Sequence, residues 1–396
     1  MKRQSNRGQC KGGSHVKYQL IIIGAGVWGT SAALAAAQYG LKSILLIEAN
    51  HGVATESSAK AGGIVTDLVW NPEDVSWVQR SRVLYQRAFA KSQDRSILQR
   101  YGMLTLAEPS RAALLEKRAG GLLDRGIAAQ LWDVARITEN FPQLDRLRRD
   151  TVALWTPEDF HVNPTAYAEA TVSEARDLGL SLRLGHPVTA IRLESRQVAV
   201  EVGGEIVMGD KVLVAAGTWT RKLLQPTGFQ LPMRPYRVQL SSLDFPHGYH
   251  LPMLWELSTD VYLVPDGPHN LLAGDGTRLF EHDPDHYQTT GDEEFESTIA
   301  GHVIDLMSRA DTAGLRTSWA GLCASTPDRR PLLGPVADRL FVACGDQGFG
   351  VMRGPALGEL AAQIVLGEAQ APHLNPLRYP LTDFPIRPGF TLEEDV

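Results

Sequence analysis

Short apolar runs alternate with longer amphipathic stretches along the chain, beginning near residue 18. Residues 18–23 are a compact apolar run, which predicts a buried strand. Residues 30–39 are rich in alanine and predict a helix ending at Gly40, and residues 41–47 predict a second strand. Because two parallel strands need a crossover helix between them, this stretch predicts one βαβ unit.

The same reading extends to the rest of the chain. Helical periodicity predicts helices at residues 75–91, 112–125, 163–179, 293–310 and 355–366. Apolar runs predict strands at residues 187–194, 197–202, 205–208, 211–216 and 340–344, with Gly203-Gly204 as the turn of a hairpin. Residues 232–290 are expected to be mainly β, with Pro and Gly turns.

The predicted parallel strands lie at both ends and in the middle of the chain, so they must share one sheet. This predicts an α/β nucleotide-binding domain interrupted by two insertions. The nucleotide-binding domain is expected from residues 18–92, 155–232 and 318–380, and the second domain from residues 93–154 and 233–317. Residues 1–17 are expected to be a flexible leader and residues 381–396 a tail.

Composition and charge exclude several classes of protein. The 396 residues include 39 Lys and Arg and 45 Asp and Glu, a formal net charge of −6 that favours neither nucleic acid nor an anionic membrane as partner. No run of about 18 apolar residues occurs, so no membrane-spanning helix is expected. Three scattered cysteines favour a reducing cytoplasm over a disulfide framework. Two histidine pairs, His247 with His250 and His282 with His286, lack the accompanying carboxylate motif of a zinc enzyme, so no metal site is predicted.

Residues 24–29 carry the most informative motif, G-x-G-x-x-G, between the first predicted strand and its helix. Gly24 suits a tight turn, Gly26 lets a pyrophosphate approach the backbone, and Gly29 allows close packing of helix on strand. The helix N-terminus presents free N–H groups to the phosphates. Glu48, at the end of the second strand, can accept both ribose hydroxyls. The motif alone does not separate FAD from NAD.

A resemblance carried by further segments of the chain decides between FAD and NAD. Residues 57–64, 185–188, 212–219, 319–334 and 343–359 resemble the FAD-dependent amino acid and amine oxidoreductases. This family includes glycine oxidase, D-amino acid oxidase, sarcosine oxidases and dye-linked proline dehydrogenases. The last two stretches together are the most specific, with Thr326-Pro327-Asp328 in the first and the Gly-rich turn at 345–350 in the second. The matches span nearly the whole chain.

The resemblance implies a fold, a cofactor and a reaction. The fold is an FAD-binding Rossmann-like domain of the glutathione reductase type plus an α+β substrate domain with a mainly antiparallel sheet. The reaction is oxidation of the C–N bond of an amino acid or related amine by hydride transfer to flavin N5, giving an imine. A helix starting near Pro355 would direct its positive end at the flavin.

The motif and the resemblance together assign the FAD contacts. The predicted contacts are Gly24, Gly26, Val27, Trp28, Gly29, Glu48, Ala49, Ser57, Ser58, Ala61, Gly62, Gly63, Ile64, Val188, Ala216, Gly217, Trp219, Gly321, Gly345, Gly348, Phe349, Gly350 and Val351. The covalent cysteine of monomeric sarcosine oxidases corresponds to Gly321 here, so noncovalent FAD is expected.

The substrate side departs from the family. Many relatives that oxidise amino acids bind the substrate carboxylate with an Arg at the position of Cys323, and bidentate Arg is the natural carboxylate receptor. Either another cation replaces it, with Arg353 first and Arg237 or Arg234 next, or the substrate lacks a carboxylate there. Cys323 itself is then expected to line the pocket.

Three other positions bear on the substrate and the electron acceptor. Tyr262 resembles the substrate-facing Tyr of glycine oxidase, and Phe349 stands where several relatives place His or Tyr over the flavin, which suggests an apolar substrate portion. Leu272 stands where sarcosine oxidases place an oxygen-activating Lys. The acceptor is therefore expected to be O2 or, in a dye-linked dehydrogenase subunit, another protein. A flavin-bearing scaffold with little turnover is a further alternative.

Overall fold

The structure is a computed structural model that describes residues 17–69, 72–276 and 278–379. The predicted leader, apart from Lys17, and the predicted tail lie outside the described residues. The described part of the chain forms eight α-helices: α1 (Val27–Gln38), α2 (Pro72–Lys91), α3 (Ala112–Leu123), α4 (Val134–Asn140), α5 (Pro164–Asp177), α6 (Thr220–Leu224), α7 (Glu293–Leu306) and α8 (Gly350–Leu366).

The same ranges form twenty strands. They are β1 (Lys17–Ile23), β2 (Ile44–Ile47), β3 (Ile64–Val65), β4 (Leu98–Arg100), β5 (Met103–Ala107), β6 (Gln130–Asp133), β7 (Val152–Thr156), β8 (Phe160–Val162), β9 (Leu180–Arg183), β10 (Val188–Leu193), β11 (Val198–Val202), β12 (Glu205–Val214), β13 (Arg234–Asp244), β14 (Met253–Glu256), β15 (Tyr262–Asp266), β16 (Asn270–Gly274), β17 (Leu279–Phe280), β18 (Gly314–Ser325), β19 (Leu332–Ala337) and β20 (Leu340–Cys344).

The first sheet carries the predicted βαβ unit at its centre. Strands β9, β2, β1, β12 and β20 lie side by side and parallel, with β19 antiparallel beyond β20. The β10–β11 hairpin pairs with the first half of β12, while β20 pairs with its second half. Strand β1 is buried on both faces, since Leu20 and Ile22 enter one apolar cluster and Ile21 and Ile23 another.

Strand β12 differs from the prediction. The two strands predicted at 205–208 and 211–216 form one continuous strand, because Gly209 does not break it. Gly209 instead gives room to the neighbouring strand, since a Cβ there would lie 3.0 Å from Ile21 Cδ1. A glycine that looks like a turn signal is here a site of close approach between strands.

The second sheet has nine strands and is mainly antiparallel, which confirms the predicted fold class. Its order is β17-β13-β16-β15-β14-β5-β7-β6, with β18 on the other edge of β13, and only the β14–β5 pair is parallel among these described strands. A cluster that includes Phe141, Phe245 and Phe295 packs on it. Strands β7 and β18 run past the predicted domain boundaries at 154/155 and 317/318. A small third sheet has the order β3-β8-β4, with both pairs antiparallel.

Helix α8 begins five residues earlier than predicted, at Gly350, with Pro355 inside it. Proline lacks the N–H that would bond the carbonyl four residues before it, so that carbonyl needs another donor. The hydroxyl of buried Tyr85 on α2 donates to the Val351 carbonyl at 2.7 Å. The substitute bond lets the helix start next to the Gly-rich turn.

Helices α1 and α8 pack with almost no space between them. A Cβ at Gly354 would lie 2.7 Å from Trp28 Cδ1, and one at Gly358 would overlap the Trp28 carbonyl. Trp28 Nε1 also donates to the Gly350 carbonyl at 2.8 Å. No helix among the described residues is long and apolar enough to cross a membrane.

We predict that Tyr85→Phe lowers the free energy of unfolding by about 1–3 kcal/mol, because it leaves the buried Val351 carbonyl without a donor. Urea unfolding followed by circular dichroism measures the loss. Tyr39→Phe is the matched control, since Tyr39 accepts a bond from Gln363 on the surface and is 48% exposed. A loss no larger than that of the control would contradict this role of Tyr85.

Candidate cofactor and substrate site

A cavity of about 760 Å³ opens at the carboxyl ends of the parallel strands of the first sheet. Four of the lining residues mark strand ends: Ile23 and Ile47 are the last residues of β1 and β2, and Ala215 and Gly345 directly follow β12 and β20. The carboxyl ends of these four strands therefore form part of the cavity wall. Ligands of open α/β sheets bind at this edge, where loops and helix N-termini converge.

Most of the predicted FAD contacts line this cavity. They are Gly24, Gly26, Val27, Trp28, Glu48, Ala49, Ser57, Ser58, Ala61, Val188, Ala216, Gly217, Trp219, Gly345, Gly348, Gly350 and Val351, together with Cys323 from the predicted substrate side. The predicted residues outside the lining are Gly29, Gly62, Gly63, Ile64, Gly321, Phe349, Tyr262, Arg237 and Arg353.

The first Gly-rich turn has little room except on its cavity side. Gly24 has φ +102°, and a Cβ there would lie 2.5 Å from the Ala215 carbonyl oxygen. A Cβ at Gly29 would overlap the carbonyl oxygen of Gly24. At Gly26, in contrast, the nearest atom to a Cβ is Ser58 Oγ at 3.4 Å. The turn therefore needs glycine at 24 and 29 to fold, whereas at 26 the protein itself tolerates a methyl group.

The Glu48 carboxylate is held in place by two backbone donors. Its Oε2 accepts from the Ala25 N–H at 2.7 Å and its Oε1 from the Asn50 N–H at 3.0 Å. A carboxylate has more acceptor positions than these two bonds use, and Glu48 borders the cavity. The remaining acceptor positions of Glu48 fit the ribose hydroxyls of an adenine dinucleotide, which would donate to them, and the open backbone at Gly26 fits its pyrophosphate.

A second Gly-rich turn forms the far wall. Gly345 and Gly348 have φ of +79° and +82°, and α8 begins directly after them at Gly350. The free N–H groups of that helix start border the cavity and favour negative charge there. The positive helix end that the sequence analysis expects near Pro355 therefore lies at Gly350.

Residues 283–289, between β17 and α7, cross the mouth of the cavity, and we call them the crossing segment. Asp285 accepts from Trp219 Nε1 at 2.7 Å and forms an ion pair with Lys222. Tyr287 accepts from Lys60 Nζ at 2.8 Å. The crossing segment is thereby attached to Lys60, which follows β2 in the chain, and to Trp219 and Lys222 at the start of α6.

Lys60 was not singled out from the sequence, because it occupies a variable position of the Ser-x-x-x-Ala-Gly-Gly stretch. It lines the cavity, and its Nζ bonds Glu56 and Tyr287, each at 2.8 Å. Burial alone would lower the pKa of Lys60, but these two hydrogen bonds outweigh it and raise the pKa. Lys60 is therefore a fixed positive charge at the cavity wall.

Asp346 was also missed, because it occupies a variable position of the second Gly-rich turn. Its carboxylate accepts from the Ala324 N–H at 2.8 Å and the Gly348 N–H at 3.0 Å, and it borders the cavity beside Cys323. Burial raises the pKa of Asp346, and burial and the nearby Asp346 raise that of the Cys323 thiol. Among the residues described, no group of three or more His, Cys, Asp or Glu is placed to hold a metal.

Arg353 lies elsewhere than expected. Its guanidinium is 1% exposed, forms an ion pair with Asp74 of α2 and donates to the Asp346 carbonyl at 2.9 Å. Its side chain also packs over Phe349, with Cζ 5.2 Å from the ring centre. Because Asp74 already neutralises this charge in the protein interior, the geometry argues against Arg353 as the substrate carboxylate ligand.

Arg237 is on the wrong side of the second sheet for that role. Strand β13 places Tyr236 opposite Cys323 and Arg237 opposite Leu322. Neighbouring residues of a strand point to opposite faces, so Arg237 points away from the face that carries Cys323. Its guanidinium pairs instead with Asp292, at the start of α7, at 2.7 Å.

Tyr262, by contrast, lies on the face that carries Cys323. Its ring covers Gly274 on the next strand, and a Cβ at Gly62 would lie 3.3 Å from Tyr262 Cε2. Burial raises the pKa of its hydroxyl. Gly321 packs against Lys60, since a Cβ there would lie 3.0 Å from Lys60 Cβ. Segment 57–64 therefore packs directly on this face of the second sheet.

These features define a dinucleotide-binding oxidoreductase: a strand–turn–helix cradle, a carboxylate fixed at the end of the next strand, and a second helix start across the cavity. Residues 19–364 match the DAO family, described as FAD dependent oxidoreductase, and the chain belongs to that family. Its cofactor is accordingly FAD, and the family and cofactor predicted from the sequence are confirmed.

Individual relatives support the same assignment over most of the chain. Glycine oxidase from Bacillus licheniformis is 25% identical over 367 residues, which cover 89% of this chain and 94% of that protein. Glycine oxidase from Geobacillus kaustophilus shares the fold with a TM-score of 0.81 at 21% identity, covering 93% of this chain and all of the other. L-proline dehydrogenase from P. horikoshii also has a TM-score of 0.81 at 21% identity, covering 92% and 98%.

We predict that Gly26→Ala gives a folded protein that does not retain FAD, because the added methyl group fills the space a pyrophosphate needs while meeting only Ser58 in the protein. The measurement is the ratio of flavin to protein absorbance after purification. Gly301→Ala, at an exposed position of helix α7 with no atom near its Cβ, is the control and should keep its FAD. Full FAD content in Gly26→Ala would place the phosphates elsewhere.

We also predict that the FAD is noncovalent, because Gly321 stands where a covalent cysteine would be required. Acid precipitation of the purified protein should release the yellow colour into the supernatant. Flavin that stays with the precipitated chain would show a covalent bond and would direct attention to Cys323.

Proposed function

We propose that this enzyme oxidises the C–N bond of an amino acid or a related amine. The observation that carries the proposal is the continuity of one cavity, which runs from the dinucleotide cradle at Gly26 and Glu48 to Cys323 and Asp346. A substrate at the Cys323 end would lie beside the second Gly-rich turn and the start of α8. The family membership and the glycine oxidase relative support the same substrate class.

Different residues around the Cys323 end of the cavity contribute to substrate binding and to proton transfer. FAD, when bound, supplies the two-electron acceptor for hydride removal from the carbon next to nitrogen. A substrate ammonium must first lose a proton, and Asp346, whose pKa burial raises, is a suitable acceptor at its carboxylate oxygens. Tyr262 lies outside the cavity lining but supports the segment 57–64, against which its ring packs at Gly62, and the crossing segment limits access of water. The imine product forms from the substrate carbon and nitrogen.

A dye-linked dehydrogenase, which passes the electrons to another protein, is the second candidate. One observation favours it: the position of the oxygen-activating Lys of sarcosine oxidases is Leu272, which is buried in β16. Lys60, however, places a positive charge at the cavity wall. O2 therefore stays in the proposal as the alternative electron acceptor. The two candidates share the first half-reaction and differ only in how the flavin is reoxidised.

We predict that anaerobic mixing of the purified protein with a panel of amines and of amino acids of both chiralities will bleach the oxidised flavin absorbance with at least one member. The bleaching names the substrate class, and readmission of air separates the two candidates: rapid return of the colour with hydrogen peroxide indicates an oxidase, and slow return a dehydrogenase.

Photoreduction of the same sample is the control, since it shows that the bound flavin can be reduced at all. If photoreduction bleaches the flavin and no panel member does, the proposed C–N oxidation fails and the flavin-bearing scaffold is favoured.

A further inference from the structure

The crossing segment, residues 283–289, has its backbone attached to the second sheet alone. Just before it, the Glu281 N–H donates to the Pro235 carbonyl of β13 at 3.0 Å. At its end, the Thr289 carbonyl accepts from the Ala320 N–H of β18 at 2.8 Å. Among the described residues, no backbone hydrogen bond joins the segment to the first sheet. The crossing segment therefore belongs to the second sheet and reaches over the cavity from there.

Little of the crossing segment is buried. Pro284 is its one buried residue, whereas Asp285, His286, Gln288 and Thr289 are exposed. The segment, all of which is described, contains neither a helix nor a strand. Stretches with few buried contacts open locally at a much lower free-energy cost than the core does. The crossing segment therefore depends on its side-chain contacts across the cavity to stay in place.

Lys222 is the centre of those contacts. It belongs to α6, which follows the end of β12, so it lies on the first-sheet side of the cavity. Its ammonium forms ion pairs with Asp283, at 2.7 Å, and with Asp285. Trp219 Nε1, beside α6, also donates to Asp285 at 2.7 Å. One cation therefore binds two carboxylates of the crossing segment and holds that segment against the opposite wall.

The cavity that the segment covers is the one that holds the dinucleotide cradle. The residues of the segment that line it are Pro284, Asp285, Tyr287 and Thr289, and the cradle residues that line it include Gly26 and Glu48. FAD carries two ring systems joined by a long diphosphate chain, so its passage needs a wide opening. We propose that the crossing segment is a gate that opens to admit and release FAD, and that Lys222 holds the gate closed.

A gate and a direct contact with the cofactor have different kinetic effects. A gate that only blocks passage speeds entry and release by the same factor when it is loosened, so the dissociation constant stays the same. A side chain that binds the cofactor phosphates instead speeds release when it is removed and raises the dissociation constant. Because Asp283 and Asp285 already neutralise Lys222, the geometry favours the gate over a phosphate ligand.

Salt should weaken the attachment. The side chains of Lys222 and Asp285 are each 46% exposed, and attraction between exposed charges is screened over about 10 Å at 0.1 M salt and about 3 Å at 1 M. The second attachment, from Lys60 to Tyr287, remains when Lys222 is replaced, so the segment is loosened and not freed. The expected effect of a single substitution is therefore moderate.

The test measures two properties of the FAD-loaded enzyme: the rate of FAD release after dilution, followed by the fluorescence of free FAD, and the dissociation constant at equilibrium. Lys222→Met should speed release about 3- to 10-fold, while the dissociation constant changes by less than about twofold. Raising KCl from about 0.1 M to about 1 M should speed release in the unmodified enzyme and have a smaller effect in Lys222→Met. Lys222→Arg, which keeps the charge, should release FAD at nearly the original rate.

The double variant Asp283→Asn/Asp285→Asn loosens the same attachment while leaving Lys222 in place, and it should behave like Lys222→Met. Lys17→Met is the matched control, because Lys17 forms an ion pair of similar length and exposure with Asp210. Lys17 begins β1, at the end of that strand away from the cavity. Its replacement should change neither the release rate nor the salt response.

Two outcomes would overturn the gate. The first is a release rate in Lys222→Met equal to that in Lys17→Met. The second is faster release with an equal rise of the dissociation constant, up to complete loss of FAD on purification, which would show that Lys222 binds the cofactor itself. Neither outcome concerns the C–N oxidation proposed above, since the gate acts on FAD whichever amine is the substrate.

Discussion

The position of the cofactor cavity depends on how closely three backbone segments approach one another. At Gly24 the chain passes so near the Ala215 carbonyl that a methyl group would not fit, and Gly29 passes equally near Gly24. On the other side of α1, Gly358 of α8 leaves no space at the Trp28 carbonyl. Because interiors are close-packed and transmit small displacements, these contacts fix α1 between its sheet and α8. The helix N-termini that border the cavity are thereby held in a fixed relation.

A buried ion pair extends this arrangement to the outer helix. Arg353 of α8 pairs with Asp74 of α2, and its second branch holds the carbonyl of Asp346 in the Gly-rich turn. Removing one partner of such a pair leaves an uncompensated buried charge, which typically costs about 3–5 kcal/mol. The guanidinium therefore helps to hold the turn that presents the Asp346 carboxylate to the cavity.

The sequence allowed the βαβ unit and most residues that line the cofactor cavity to be predicted, because their requirements are local. The spacing of Gly24, Gly26 and Gly29, and the place of Glu48 at the next strand end, follow from the geometry of one βαβ unit. The substrate side depends on contacts between distant residues. Arg353 was assigned to the substrate because its partner Asp74 lies 279 residues away and no local pattern joins them.

Two other differences between the sequence-based predictions and the structure have similar causes. Whether Arg237 faces the cavity depends on the register of β13 with β18, which a sequence pattern does not fix to one residue. The start of α8 was placed at Pro355 because the compensating hydroxyl of Tyr85 belongs to a helix far away in the chain.

The bond between Trp28 Nε1 and the Gly350 carbonyl spans 322 residues, and it has a consequence for synthesis on the ribosome. The first half of the cofactor cradle emerges early, but the wall that faces it is made last. At about 5–20 residues per second, roughly 15–60 s separate the two events. During that interval the apolar side of α1 that later meets α8 has no partner. The cradle of a nascent chain is therefore expected to stay incomplete until α8 has left the exit tunnel, and FAD can complete its binding only afterwards.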